Sequence, residues 1–202
     1  MKHPSTQALF HYWNAQRGTR LAPERSDIDP RAIRHVLGDT IMLAADFVDQ
    51  LRYRLAGTRV CALFCREIKG EAFSALWDQA SCGAIDDLLA AVAKDKAGAV
   101  AGVNGRTNDG DQLQLELLLL PLAHHAHTRT RALGALAPAA QPYWLGTKPL
   151  VELKLVTFRH LGQDVEPSFE TPALQGPAGG RICHGFVVYS GGREGPPDRR
   201  TG

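Results

Sequence analysis

Side chains alternate between polar and apolar over residues 52–56, RYRLA, so Tyr53 and Leu55 are expected on one face and Arg52 and Arg54 on the other. That is the pattern of a half-buried strand. Gly57 interrupts it, Thr58 suits a helix start, and Val60, Leu63 and Phe64 then recur at three- and four-residue steps. A short helix is predicted directly after the strand, ending before Gly70. Upstream, residues 40–48 form an apolar run that reads as a strand paired antiparallel with 52–56 through the turn at Asp49-Gln50. Downstream, Ile85, Leu88, Leu89 and Val92 mark one face of a long helix over about 74–94. Residues 99–107 and 113–122 read as two strands joined by Asn108-Asp109-Gly110-Asp111, a strong hairpin signal, and 131–138 as a third. Leu113, Leu115, Leu117 and Leu119 share one face of the middle strand. Its second half is apolar on both sides, which places it at the centre of the sheet.

Ahead of these elements, residues 6–17 predict a helix capped by Ser5 or Thr6, and Pro30 opens a second helix carrying Ile33, Val36 and Leu37. Beyond them, 150–161 has mixed periodicity, 162–181 is rich in proline and glycine and reads as a linker, 181–189 is apolar enough to add a strand, and the tail reads as disordered. Strands in adjacent groups with a helical block between them give an α+β fold: a five-stranded antiparallel sheet with helices on one face. The chain divides into an N-terminal helical extension (1–38), a core (39–140) and a C-terminal extension (141–202), partly disordered.

At 202 residues, with 23 basic and 21 acidic side chains and a formal charge of +2, the chain is too balanced to point to nucleic acid or a membrane surface. No apolar run has the length of a membrane span, no signal peptide is apparent, and four cysteines fit a reducing compartment, so the expected location is cytoplasmic. Neither a Gly-x-Gly-x-x-Gly nor a Gly-x-Ser-x-Gly motif occurs, nor a His-Glu-x-x-His helix.

Several residues bear on chemistry. Cys61 and Cys65 sit four apart on one helical face, a metal half-site by spacing, but two thiols packed in a core is the favoured reading. His124, His125 and His127 make an imidazole cluster for a metal or haem, weighed against an exposed hairpin loop. Glu67, Asp46 and Glu116 are carboxylates near strands, and Glu116 is expected to pair with Arg52 or Arg54. Trp13, Trp77 and Trp144, with Phe10, Tyr12 and Tyr143, are core candidates. Tyr12 and Trp13 also offer an apolar stripe either to the domain itself or to a partner, a second copy included.

The order of elements, with the segments RSDIDP (25–30), RYRLAGTRV (52–60), LFCREIKG (63–70), LLLLPL (117–122) and HGFVVYSGG (184–192), resembles a PAS family found as single-domain alphaproteobacterial proteins. That family tends to have glycine where this chain has Cys65. The resemblance implies a sensory or regulatory role without catalysis, through a small-molecule ligand, a signalling protein partner or a homodimer, and through neither nucleic acid nor membrane. It implies no particular cofactor. The expected pocket wall is Tyr53, Leu55, Val60, Phe64, Leu115 and Leu117. With no output segment evident, the signal is expected to pass through a separate protein. The alternatives are a small α+β isomerase or hydrolase using a pocket carboxylate and a histidine, or a metal or haem sensor.

Overall fold

The computed structural model describes residues 1–45, 50–123 and 131–161, and the backbone of 181–183 and 186–188. The chain divides into two units, Met1–Val165 and Glu166–Gly202. The first is built on six strands: β1 (Thr40–Ala45), β2 (Leu51–Ala56), β3 (Gly98–Thr107), β4 (Gln112–Leu122), β5 (Arg131–Pro138) and β6 (Leu150–Leu161). They form one sheet in the order β2-β1-β5-β4-β3-β6, with every neighbouring pair antiparallel. In the second unit, β7 (Arg181–Cys183) pairs only with β8 (Phe186–Val188) among the described strands, so the apolar stretch at 181–189 is a small hairpin of its own.

The sheet has an inner face and an outer face, both apolar. Leu113, Leu115, Leu117 and Leu119 of β4 point inward, while Leu118, Leu120 and Leu122 belong to the outer cluster. Burying each such leucine contributes roughly 2 kcal/mol, so neither face can stay bare. The inner face is covered by α2 (Thr58–Phe64), a 3₁₀ turn (Phe73–Leu76) and α3 (Cys82–Ala90), which runs into a π turn at Ala91–Asp95. The outer face is covered by α1 (Pro4–Arg17), through Leu9, Phe10 and Trp13, and by residues 22–37.

Several local expectations change. Residues 150–161 are a full edge strand, β6, added to the five expected. The helix expected over 74–94 is split because Trp77 bridges to Leu153 of β6 and the Asp78 N–H donates to the Leu153 carbonyl at 2.8 Å. Asp78 then accepts from the Ser81 N–H at 2.9 Å and a new helix begins. Pairing with the sheet thus outweighs helical periodicity. Residues 30–36 are successive turns rather than a helix. The Asp29 carboxylate draws in the Arg31 N–H at 2.9 Å, and the run before Gly38 is too short to sustain α-helical bonding, although Ile33 and Val36 are buried as expected.

The start of α1 differs as well. His3 caps it, its Nδ1 accepting from the Ser5 N–H at 3.1 Å, so neither Ser5 nor Thr6 is the cap. Their hydroxyls reach other parts of the fold. Thr6 Oγ1 donates to Glu116 on β4, which also accepts the Lys2 N–H at 2.8 Å and the His3 N–H at 3.0 Å. Glu116 is therefore not the partner of Arg52 or Arg54. Two strands, β1 and β5, separate β2 from β4, a distance of about 14 Å at the usual spacing. Ser5 Oγ donates to Asp39, a buried carboxylate that also accepts both the Nε and an Nη of Arg59 on α2 at 2.7 Å each. Asp39 thereby joins the outer helix to the inner one.

Asp39 supplies a pH prediction. Burial alone raises its pKa, but the hydrogen bonds from Arg59 and Ser5 outweigh burial and hold it below the usual aspartate value. Because the folded pKa lies below the unfolded one, the carboxylate stabilises the fold at neutral pH, and that contribution is lost as pH falls through the folded pKa. Urea unfolding of Asp39→Asn at pH 7 is expected to show a loss of about 1–3 kcal/mol that shrinks in acid below about pH 4.

The end of α2 supplies a second. Cys65 follows the helix in the left-handed region, φ 52° and ψ 27°, where glycine is free of strain. A cysteine in that region carries backbone strain that a glycine would not. Cys65→Gly is expected to raise stability by up to about 1 kcal/mol, read as a higher urea midpoint at unchanged slope.

Candidate ligand site

Between the inner face and its cover lies a buried aromatic run that starts on β2. The outer edge of that strand is closed by the chain after Gly70: the Gly70 N–H donates to the Tyr53 carbonyl at 2.7 Å and the Tyr53 N–H to the Glu71 carbonyl at 3.0 Å. These bonds fix the Tyr53 side chain beneath the cover and deliver Phe73 beside it, with ring centroids 5.5 Å apart. Phe73 in turn meets Trp77 at 5.7 Å. All three are buried.

The run holds two polar atoms without partners. Tyr53 Oη and Trp77 Nε1 are buried and make no hydrogen bond. Burial pushes the Tyr53 phenol well above its ordinary pKa, so it is a neutral donor at any physiological pH. An unmet buried donor costs about 1–3 kcal/mol, so the pair marks the interior as a place where an acceptor is wanted.

Of the residues expected to wall a pocket, Tyr53, Val60, Phe64, Leu115 and Leu117 meet in this inner cluster. Leu55 does not: it is 41% exposed. Strand β1 pairs Leu43 with Tyr53 and Met42 with Leu55, which leaves Arg54 as an extra residue in a bulge. A bulge shifts the alternation by one, so Ala56 rather than Leu55 follows Tyr53 onto the core side. Phe73 was missed. Its four-residue spacing from Trp77 is the available signal, but the expected helix begins only at about residue 74 and leaves Phe73 out.

The remaining candidates separate. Cys61 is buried, and desolvation, with Glu67 close by, raises its thiol pKa; Cys65 is exposed, so the two do not pack together in the core. Trp13 is buried, and its Nε1 donates to the Pro121 carbonyl at 2.8 Å, so the leading helix docks on its own domain. Trp144 is buried while Tyr143 is 93% exposed, correcting its place among the core candidates. Glu67 is exposed. Asp46, the histidines at 124, 125 and 127, the linker over 162–180 and the tail lie outside the described residues. Among the described residues no group of three or more His, Cys, Asp or Glu side chains is placed to hold a metal, and no helix is long and apolar enough to cross a membrane.

Removing the orphan hydroxyl gives a direct test of its cost. Tyr53→Phe is expected to leave the ligand-free chain as stable as before, or more stable by about 1 kcal/mol, because a buried donor with no partner disappears at almost unchanged volume. Urea unfolding checks it.

A family model described as a PAS domain matches residues 1–137. Similar solved structures include the PAS domain of a protein from Colwellia psychrerythraea, at 14% identity over 55% of this chain and 97% of that one, TM-score 0.40. An RNA-binding light-oxygen-voltage receptor is similar at 18% identity over 59% of this chain and 36% of that one, TM-score 0.42. No curated protein matches the chain.

Proposed function

The chain belongs to the PAS domain family, whose members serve sensory signal transduction and are generally not catalysts, and from that membership we propose a cytoplasmic bacterial sensor that binds a small ligand and passes the signal to a separate protein. The observation that carries the reading is the pair of unpartnered donors, Tyr53 Oη and Trp77 Nε1, at the two ends of the buried aromatic run. The ligand is flat, largely apolar and carries acceptors for these donors, so that it stacks on Phe73 while it satisfies them. Tyr53 holds its proton throughout the physiological range, so binding does not depend on its ionisation.

The route out of the site starts at α2, which contributes Val60 and Phe64 to the same cluster. Its Arg59 grips Asp39, which in turn accepts from Ser5 of α1. Backbone contact there is close, since a Cβ on Gly57 would meet the Leu37 carbonyl oxygen at 2.1 Å. A ligand that shifts α2 thus acts on α1 through a joint with little slack. The surface of α1 away from the sheet is where a partner protein would read the change.

Native mass spectrometry of the chain, purified from its own cells under conditions that retain small molecules, tests the binding. The expected result is a bound mass that is released on denaturation and strongly depleted in Tyr53→Phe and Trp77→Phe. Wild-type protein carrying only its own mass, or equal occupancy in both variants, overturns the reading.

A further inference from the structure

The two edges of the sheet are not equally protected. The edge of β2 is closed by residues 70–72, and the first half of β6 by residues 77–81, where the Asp78 N–H donates to the Leu153 carbonyl at 2.8 Å and the Leu155 N–H to Ser81 Oγ at 2.9 Å. Beyond Leu155 no described strand or bridge lies on the outer side of β6. Residues 156–160 are exposed without interruption, including Val156 at 62% and Phe158 at 47%. A long exposed edge with apolar side chains is a template for a further strand.

A cleft of about 720 Å³ lies beside this stretch. Its floor includes Val100 and Gly102 of β3, and Lys2 and Arg159 stand among its lining residues together with Val156 and Phe158. Glu116, the carboxylate among them, is already bonded to the start of α1. Those bonds come from neutral donors and leave its charge in place, but Lys2 and Arg159 outnumber it, so the side-chain charge lining the cleft is positive on balance. Residues 153–161 of β6, LKLVTFRHL, contain no acid at all.

We propose that the open half of β6, residues 156–160, together with this cleft, is a docking edge for an extended acidic peptide segment of a partner protein, which adds to the sheet as a further strand. A bulge at Val156 interrupts the register with β3, so backbone pairing runs along residues 157–160 beyond it and supplies the affinity, Phe158 takes an apolar side chain, and Lys2 and Arg159 select acidic ones. The same charge argues against a second copy of this chain: pairing the open stretch with itself brings the Arg159 side chains of both strands together with no carboxylate in the stretch. This surface is separate from the interior ligand site, and its test does not depend on that site being filled.

The probe is a fluorescein-labelled heptapeptide, Glu-Val-Glu-Ile-Glu-Val-Glu, followed by fluorescence anisotropy at low salt. Saturable binding is expected, weakened about tenfold or more by Arg159→Glu. Two further peptides, one N-methylated at the glutamates and the other at the apolar residues, are expected to differ sharply, since only one set of amides faces β6. If Arg159→Glu alters the thermal melt, Val156→Asp makes the same test at another exposed position. Absence of saturation up to about 1 mM, equal binding of the two methylated peptides, or no effect of either substitution overturns the proposal. Tighter binding of a single-stranded oligouridine RNA of equal charge also overturns it, assigning the edge to nucleic acid.

Discussion

The constraint on which the architecture rests is that β4 is apolar on both sides. Leu117 and Leu119 face inward and Leu118 and Leu120 outward, and all four are essentially inaccessible to water. A sheet with this strand near its centre needs a cover on each face, because leaving either set exposed forfeits several kilocalories. The helical block between β2 and β3 serves the inner face. Nothing in that block reaches the outer one, so α1 and the turns that follow it are part of the fold rather than an appendage.

The outer cover is held by polar contacts of unusual placement. Glu116 stands among outward-facing leucines as the acceptor for the Lys2 and His3 N–H groups at the entry to α1. Asp39 performs the corresponding task between α1 and α2. Since burying a carboxylate is unfavourable until its oxygens are bonded, both residues specify where α1 sits more than they add to net stability.

This division explains what the sequence made legible. Alternation and hairpin chemistry identified β1 to β5, the central place of β4 and the facing of Leu115 and Leu117, because those features follow from local geometry and burial. Leu55 was misplaced because the bulge at Arg54 depends on the register with β1, which periodicity within β2 cannot reveal. The split of the helix at Asp78 and the identity of β6 are one long-range event, the capture of residues 77 and 78 by Leu153. For the same reason Glu116 was assigned the wrong partner. The cations of β2 were close in the order of strands along the chain, but not in the sheet.

The interior shows where consistency across levels gives way. Most of the inner cluster is aliphatic or phenylalanine, with no polar side-chain atom to satisfy. Tyr53 and Trp77 depart from that rule together, one on a strand and one beside a 3₁₀ turn, with Phe73 between them. Phenylalanine at either position would keep most of the packing without burying a donor, so stability alone gives no reason for the tyrosine or the indole. Both departures touch one aromatic ring, Phe73, and they are the observation on which the proposed ligand rests: one acceptor-bearing molecule bonded to both would satisfy the two donors at once.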